Sequence, residues 1–235
     1  MKIRLAIPLV AALLVVPAIA QDRENERLEE AATVLREIMN VPDNIPQDLI
    51  DKAECVIVVP SVKKAAFIFG ASYGRGVMSC RTGEKFNGPW SSPAMMRLYQ
   101  GSFGLQIGGQ ETDFVLMVMN KRGANSVINS KVKLGGDASV AGGPKGRTAE
   151  AATNEAMRAE VLTYSRARGV FAGISLSGAN LQSDAGDNEK VYGQKLTPRQ
   201  IVREGKVKAT PEGAKIVAFL NKKSPKNKSA DAETE

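Results

Sequence analysis

The chain has 235 residues, 32 Lys and Arg against 25 Asp and Glu, two cysteines and no histidine. Without imidazole, Ser-His-Asp and Cys-His nucleophile systems are excluded, as are His-ligated zinc, haem and facial-triad iron sites. With 43% hydrophobic and 24% charged residues, the composition is that of one globular domain with tails.

Met1-Lys2-Ile3-Arg4 is a positive start, Leu5 to Ile19 is apolar, and Ala18-Ile19-Ala20 is a small-x-small cleavage signal before Gln21. The apolar run spans roughly 22 Å as a helix, short of the roughly 30 Å of a bilayer core. Residues 1–20 are therefore expected to be a signal peptide, with residues 21–220 forming one domain. The expected location is periplasmic or secreted, with peripheral membrane association. In an oxidising compartment Cys55 and Cys80 can pair, and a bridge or two buried thiols both fit the sequence. No CxxC is present, so redox catalysis is not expected.

Residues 22–40 carry Leu28, Ala31, Ala32, Leu35, Ile38 and Met39 at three-to-four spacing, which predicts an amphipathic helix ending before Pro42. Pro46 fits the first turn of a second helix with Leu49, Ile50 and Ala53 inward. Cys55 to Val59 predicts a strand closed by Pro60. Ala66 to Tyr73 and Gly76 to Arg81 predict a hairpin turning at Gly74-Arg75. Gly101 to Gly108 alternates apolar and small residues as a half-buried strand, and Asp113 to Asn120, apolar on both faces, predicts a central one. Lys131 to Val140 and Gly169 to Ser177 add two strands, and residues 148–160 read as a helix or connector. Thr197-Pro198 and Thr210-Pro211 are helix starts. Residues 221–235, rich in Lys and then acidic, are expected to be a disordered tail.

Fifteen of the 22 glycines fall between Gly70 and Gly146. Glycine inside strands implies bends, bulges or close backbone approach. The fold class expected is α+β, a strongly curved, mainly antiparallel and barrel-like sheet with N-terminal and C-terminal helices packed on it.

No phosphate-loop, dinucleotide or nucleophile-elbow motif accounts for the glycines; Gly142-Gly143-Pro144-Lys145-Gly146-Arg147 lacks the Lys-Ser/Thr pair, and Gly173-Ile174-Ser175-Leu176-Ser177 lacks the final Gly. Asp184, Asp187, Asn188 and Glu189 lack a calcium-loop pattern and read as a solvated loop. No metal, cofactor or catalytic set is expected. Without residues 1–20, 30 bases face 25 acids, and residues 54–148 alone hold twelve bases against five acids. A basic surface attracts phosphate, and export makes a lipid headgroup the expected source rather than nucleic acid.

Several spaced motifs occur in one order: Cys55 to Val77, Trp90-Ser91-Ser92-Pro93, Gly101 to Gly108, Asp137-Ala138-Ser139 with Gly143-Pro144-Lys145-Gly146-Arg147, Tyr164-Ser165 with Gly169 to Gly173, and Tyr192-Gly193. Together, over roughly residues 30–205, they resemble the SYLF domain family, also called the yeast actin-patch domain family. The resemblance implies a non-enzymatic lipid-binding module, with phosphoinositide binding and in some members actin binding among its eukaryotic relatives. Behind an export signal, actin is not the expected partner; an anionic phospholipid or other envelope lipid is. A periplasmic interaction module without a lipid ligand is the alternative.

The candidate headgroup residues are Lys63 and Lys64 after Pro60, Arg75 between Gly74 and Gly76, and Lys145 and Arg147 in the Gly-Pro-Lys-Gly-Arg loop. Lys64 falls at the basic position of the family's proline-to-phenylalanine segment, and backbone N–H groups around Lys145 suit a phosphate. Trp90, the lone tryptophan, either anchors its Pro-rich loop to the core or faces lipid as an interfacial aromatic.

Overall fold

The computed structural model describes residues 16–40, 45–66, 69–103, 108–129, 131–144, 158–167, 170–173 and 176–229. Within them, β1 (Cys55–Ala66), β2 (Phe69–Cys80), β3 (Ala94–Phe103), β4 (Gly108–Val118), β5 (Val132–Lys133), β6 (Val140–Gly142), β7 (Val161–Ala167), β8 (Val170–Gly173) and β9 (Asn180–Ser183) join one curled sheet shaped as a half-barrel. The order is β5-β9-β3-β2-β1-β4-β7-β6, with β8 also on β7; every pairing is antiparallel except β6 with β7. The helices are α1 (Val16–Asn40), α2 (Gln47–Lys52), α3 (Lys121–Asn129), α4 (Ala185–Tyr192), α5 (Pro198–Val202) and α6 (Pro211–Lys223). The curved α+β architecture expected from the glycines is the one observed.

The sheet is covered on both faces, which is why Cys55–Val59 of β1 and Phe114–Val118 of β4 are apolar at successive positions instead of alternating. On one face Val56, Val58, Val77, Met95, Val115 and Met117 pack against Leu28, Leu35 and Ile38 of α1 and Ile216 and Leu220 of α6. On the other, Ile57, Val59, Met78, Met96, Leu98 and Leu116 meet Ala124 and Val127 of α3 and Ile201 and Val202 of α5. Burying each such side chain contributes roughly 1.5–3 kcal/mol before entropy is counted. The central position expected for Asp113 to Asn120 holds, because β4 lies between β1 and β7.

Pro60 does not close its strand. β1 runs on to Ala66 through a bulge, with the register to β2 shifting between Val58 and Lys63 and Ser61 at φ 51°. Asp113 Oδ1 accepts the Ser61 N–H at 2.9 Å, and a bulge is where a strand tolerates proline. The expected hairpin at Gly74-Arg75 is also corrected: both halves belong to the single strand β2, whose partners are β1 and β3. Gly76 is there because a Cβ would lie 2.1 Å from the Val58 carbonyl oxygen, and one at Gly74 would lie 2.5 Å from a Val62 methyl. The glycines let the two backbones close over the bulge and bend the sheet.

Other boundaries moved for similar reasons. Gly101 to Gly108 is the end of β3 and the start of β4, with residues 104–107 outside the described residues. A turn at Gly135–Asp137, held by Lys133 N–H to Asp137 Oδ2 at 2.8 Å, separates β5 from β6. Pro46 is the N-cap of α2 instead of its first residue, while Thr197 and Thr210 cap α5 and α6 as expected. The 221–235 tail is not disordered up to residue 229: Asn221 to Lys223 complete α6 and Ser224 to Ser229 fold back onto the body. Residues 1–15 of the expected signal peptide lie outside the described residues, as do most of 148–160. No helix of the described residues is long and apolar enough to cross a membrane.

Candidate functional site

Lys63 and Lys64 are neighbours in β1 and so project to opposite faces. Lys63 is exposed and sits in register between Tyr73 of β2 and Glu111 of β4. Lys64 is half-buried, level with Ser72 and Gln110. Tyr73 is 45% exposed, the one large hydrophobic side chain left open among the described residues. Its hydroxyl accepts from Arg75 Nε at 2.8 Å, two positions along the same face. Tyr99 of β3 is opposite Tyr73, and the Lys131 ammonium lies 5.1 Å from the Tyr99 ring centre. The structure thus brings Lys63 and Arg75 onto one face around Tyr73. Lys145 and Arg147 lie outside the described residues.

Arg75 is not a spare cation, because its Nη1 lies 3.3 Å from Asp187 Oδ2. The expected solvated loop at Asp184 and Asp187 is corrected too: both carboxylates are buried. Asp184 caps α4 and faces Arg97 Nε at 3.1 Å. Asp187 collects Arg27 of α1 at 2.9 Å, Lys190 at 2.8 Å and Arg75, tying helix, sheet and α4 together. Burial alone would raise the Asp187 carboxyl, but the Lys190 hydrogen bond and the Arg75 and Arg27 charges outweigh it and hold it below its ordinary value. The Tyr73 hydrogen bond, with Asp187, keeps Arg75 firmly protonated. Arg27 and Arg75 lie 160 and 112 positions from Asp187 in sequence, and no local motif announces them.

Trp90 faces inward at 3% exposure, which corrects the lipid-facing alternative and leaves it as the loop's anchor. Its Nε1 donates to the Ser224 carbonyl at 3.0 Å, and the Arg81 guanidinium lies 4.3 Å from its ring centre. Arg81 is wholly buried, and burial pulls its pKa down to about 10. One residue away, Cys80 is bonded to Cys55 across β1 and β2, stapling the end of the hairpin remote from Tyr73. No group of three or more potential metal ligands occurs among the described residues.

Residues 99–223 match the Ysc84 family, described as a Las17-binding protein actin regulator. Protein YSC84 of Saccharomyces cerevisiae is 30% identical over 205 residues, covering 83% of this chain and 43% of the relative. LAS seventeen-binding protein 3 of the same yeast is 32% identical over 170 residues, 71% of this chain and 36% of the relative. SH3 domain-containing YSC84-like protein 1 of Xenopus laevis is 35% identical over 172 residues, 70% and 50% respectively. The chain spans half or less of the length of these curated relatives. With the match covering more than half of its residues, in the order of motifs set out above, the chain belongs to the Ysc84, or SYLF, family.

Proposed function

We propose that this chain is a non-enzymatic module of the cell envelope that binds anionic phospholipid headgroups through the Lys63–Tyr73 face of β1 and β2. The observation that carries the reading is the exposed Tyr73 ring directly opposite the exposed Lys63. An amphipathic aromatic beside a cation suits the headgroup layer, where the ring meets the acyl boundary and the ammonium meets phosphate. Arg75, neutralised by Asp187, positions the Tyr73 hydroxyl; Lys64, Lys145 and Arg147 add positive charge. The export signal at residues 1–20 supports a periplasmic or secreted location.

Co-sedimentation of the mature protein with vesicles tests this. Binding to phosphatidylglycerol vesicles and not to phosphatidylcholine is expected, weakening as salt rises. Each lysine near an anionic surface contributes about 1 kcal/mol, so Lys63→Glu lowers the partition coefficient by about tenfold or more. Tyr73→Ser weakens binding to the same vesicles without changing its salt dependence. Equal binding to both vesicle types sinks the reading.

A second reading is a protein-interaction module without a lipid ligand. It is favoured by the family description and by the name of the yeast relative, both of which specify a protein partner. Failure of vesicle binding together with capture of a defined envelope protein by the purified chain would select it.

A further inference from the structure

In register, the row Glu111, Lys63, Tyr73, Tyr99, Asn180 and Lys133 crosses β4, β1, β2, β3, β9 and β5 in that order. Directly opposed residues of neighbouring strands share a face, and each member of this row is exposed or half-buried. Two positions before Tyr73 and two after Tyr99, Ala71 pairs with Gly101 on that same face, and both are exposed. The Tyr73–Tyr99 pair therefore stands as a wall beside a strip of small residues, the two rows lying about 7 Å apart along the strands.

Neither packing nor backbone conformation accounts for Gly101. Gly74 and Gly76 answer close contacts with β1, but a Cβ at Gly101 meets nothing within 4 Å, and its φ lies outside the left-handed region. Glycine weakens a strand that does not need it, and its remaining use there is the close approach of a ligand. The tyrosine rings are also occupied on one side only. The Arg75 guanidinium lies 6.0 Å from the Tyr73 ring centre, and the Lys131 ammonium 5.1 Å from that of Tyr99. Arg75 follows Tyr73 along β2, and Lys131, one step before Val132, is level with Gln182 and Arg97. Both cations thus come from the side away from Ala71 and Gly101, and the opposite ring faces are the ones turned to the strip. Arg75 and Arg97 are committed to Asp187 and Asp184. Lys63 heads the strip, and Glu111, level with it on β4, opposes a ligand with several negative charges.

We infer that the Ala71–Gly101 strip takes a pyranose sugar ring laid against Tyr73 and Tyr99, with a single phosphate substituent on Lys63. A pyranose offers C–H groups on its faces and hydroxyls around its rim. The tyrosine rings meet the first, and the Asn180 amide at the end of the row meets the second. An acyl chain in the same place would strip water from that amide and from Lys63 and return no hydrogen bond. The inference rests on the Lys63–Tyr73 face being the ligand face, and it narrows the headgroup to one that carries a sugar.

The test follows backbone amide resonances of the isotope-labelled mature chain during titration with glucose-6-phosphate and with glycerol-3-phosphate, which share the phosphate and differ in the ring. Glucose-6-phosphate is expected to bind roughly fivefold tighter, the worth of one ring contact, and to shift the Ala71, Tyr99 and Gly101 amides saturably. Gly101→Val fills the strip at a position where a Cβ meets nothing in the fold. It is expected to keep the wild-type Tm and to make the two probes equal. Equal affinity of wild type for the two probes, a preference that survives Gly101→Val, or a titration that leaves Gly101 unmoved overturns the inference.

Vesicles identify the source of the sugar and separate this inference from the headgroup reading. Adding lipopolysaccharide to phosphatidylglycerol vesicles is expected to strengthen co-sedimentation. No gain, with the preference for glucose-6-phosphate intact, supports the inference with a free glycan as the source. Binding to phosphatidylglycerol vesicles with no preference for glucose-6-phosphate overturns the inference and leaves the headgroup reading standing. A preference for glucose-6-phosphate with no binding to either vesicle supports the inference and removes the lipid.

Discussion

The Arg81 guanidinium stacks on Trp90 at 4.3 Å from the ring centre, and both side chains are buried beneath Ser224. A buried cation of this kind is retained by geometry instead of by a directly bonded carboxylate. Its shape therefore matters more to stability than its charge does.

Arg81→Met, similar in volume and without charge, is expected to cost about 1 kcal/mol or less, since the penalty of burying the guanidinium disappears with it. Arg81→Ala leaves a cavity against Trp90 and an unpaired Lys226 carbonyl, and is expected to cost about 3 kcal/mol. Urea unfolding of the two variants checks the order; equal losses would mean that charge dominates.

Cys55 and Cys80 close a loop with a sequence separation of 25. The chain-entropy account gives about 3.5 kcal/mol for a loop of that size. Cys55→Ala with Cys80→Ala is expected to lower the Tm by about 10 °C. Both sulfurs are inaccessible in the folded state. Wild type is therefore expected to resist dithiothreitol until it begins to unfold, which can be followed by thiol titration against temperature.

Asp187 has a folded pKa below its ordinary value of 3.8. Its ion pairs therefore contribute stability that is fully present above that value and is lost as pH falls through the lower folded pKa. Asp187→Asn is expected to lose about 2 kcal/mol at pH 7. The wild-type and variant stability curves should converge in acid, starting below about pH 4. Chemical denaturation from pH 7 to pH 2.5 gives both curves; parallel curves would contradict the linkage.

Gly76→Ala drives a methyl into the Val58 carbonyl, 2.1 Å from where the Cβ would sit. A loss of about 3 kcal/mol is expected, because backbone rather than a mobile side chain must move. Gly101→Ala in the neighbouring strand meets nothing within 4 Å and is the matched control, expected to change the Tm little.

The curved sheet was legible because glycine inside strands has few other uses, and the helix starts were legible because Thr-Pro caps act locally. The hairpin at Gly74-Arg75 was misread for an informative reason. Those glycines answer the bulge at Pro60–Ser61 on the neighbouring strand, and a local reading takes them for a turn. The site was less visible. Lys63 could be chosen from charge, but whether Arg75 was spare depended on Asp187, 112 positions away. Tyr73 was within reach: once β2 is one strand, alternation places Tyr73, Arg75 and Val77 on one face. The docking of Ser224 to Ser229 was hidden by composition, since a lysine-rich, apolar-poor segment reads as solvated whether or not a groove waits for it.

The Cys55–Cys80 pair and the Lys63–Tyr73 pair mark opposite ends of the same two strands. Cys80 is seven positions along β2 from Tyr73, a distance of about 23 Å along a strand. The crosslink and the Asp187 ion pairs thus brace the two ends of the hairpin separately, so that loss of one leaves the other in place.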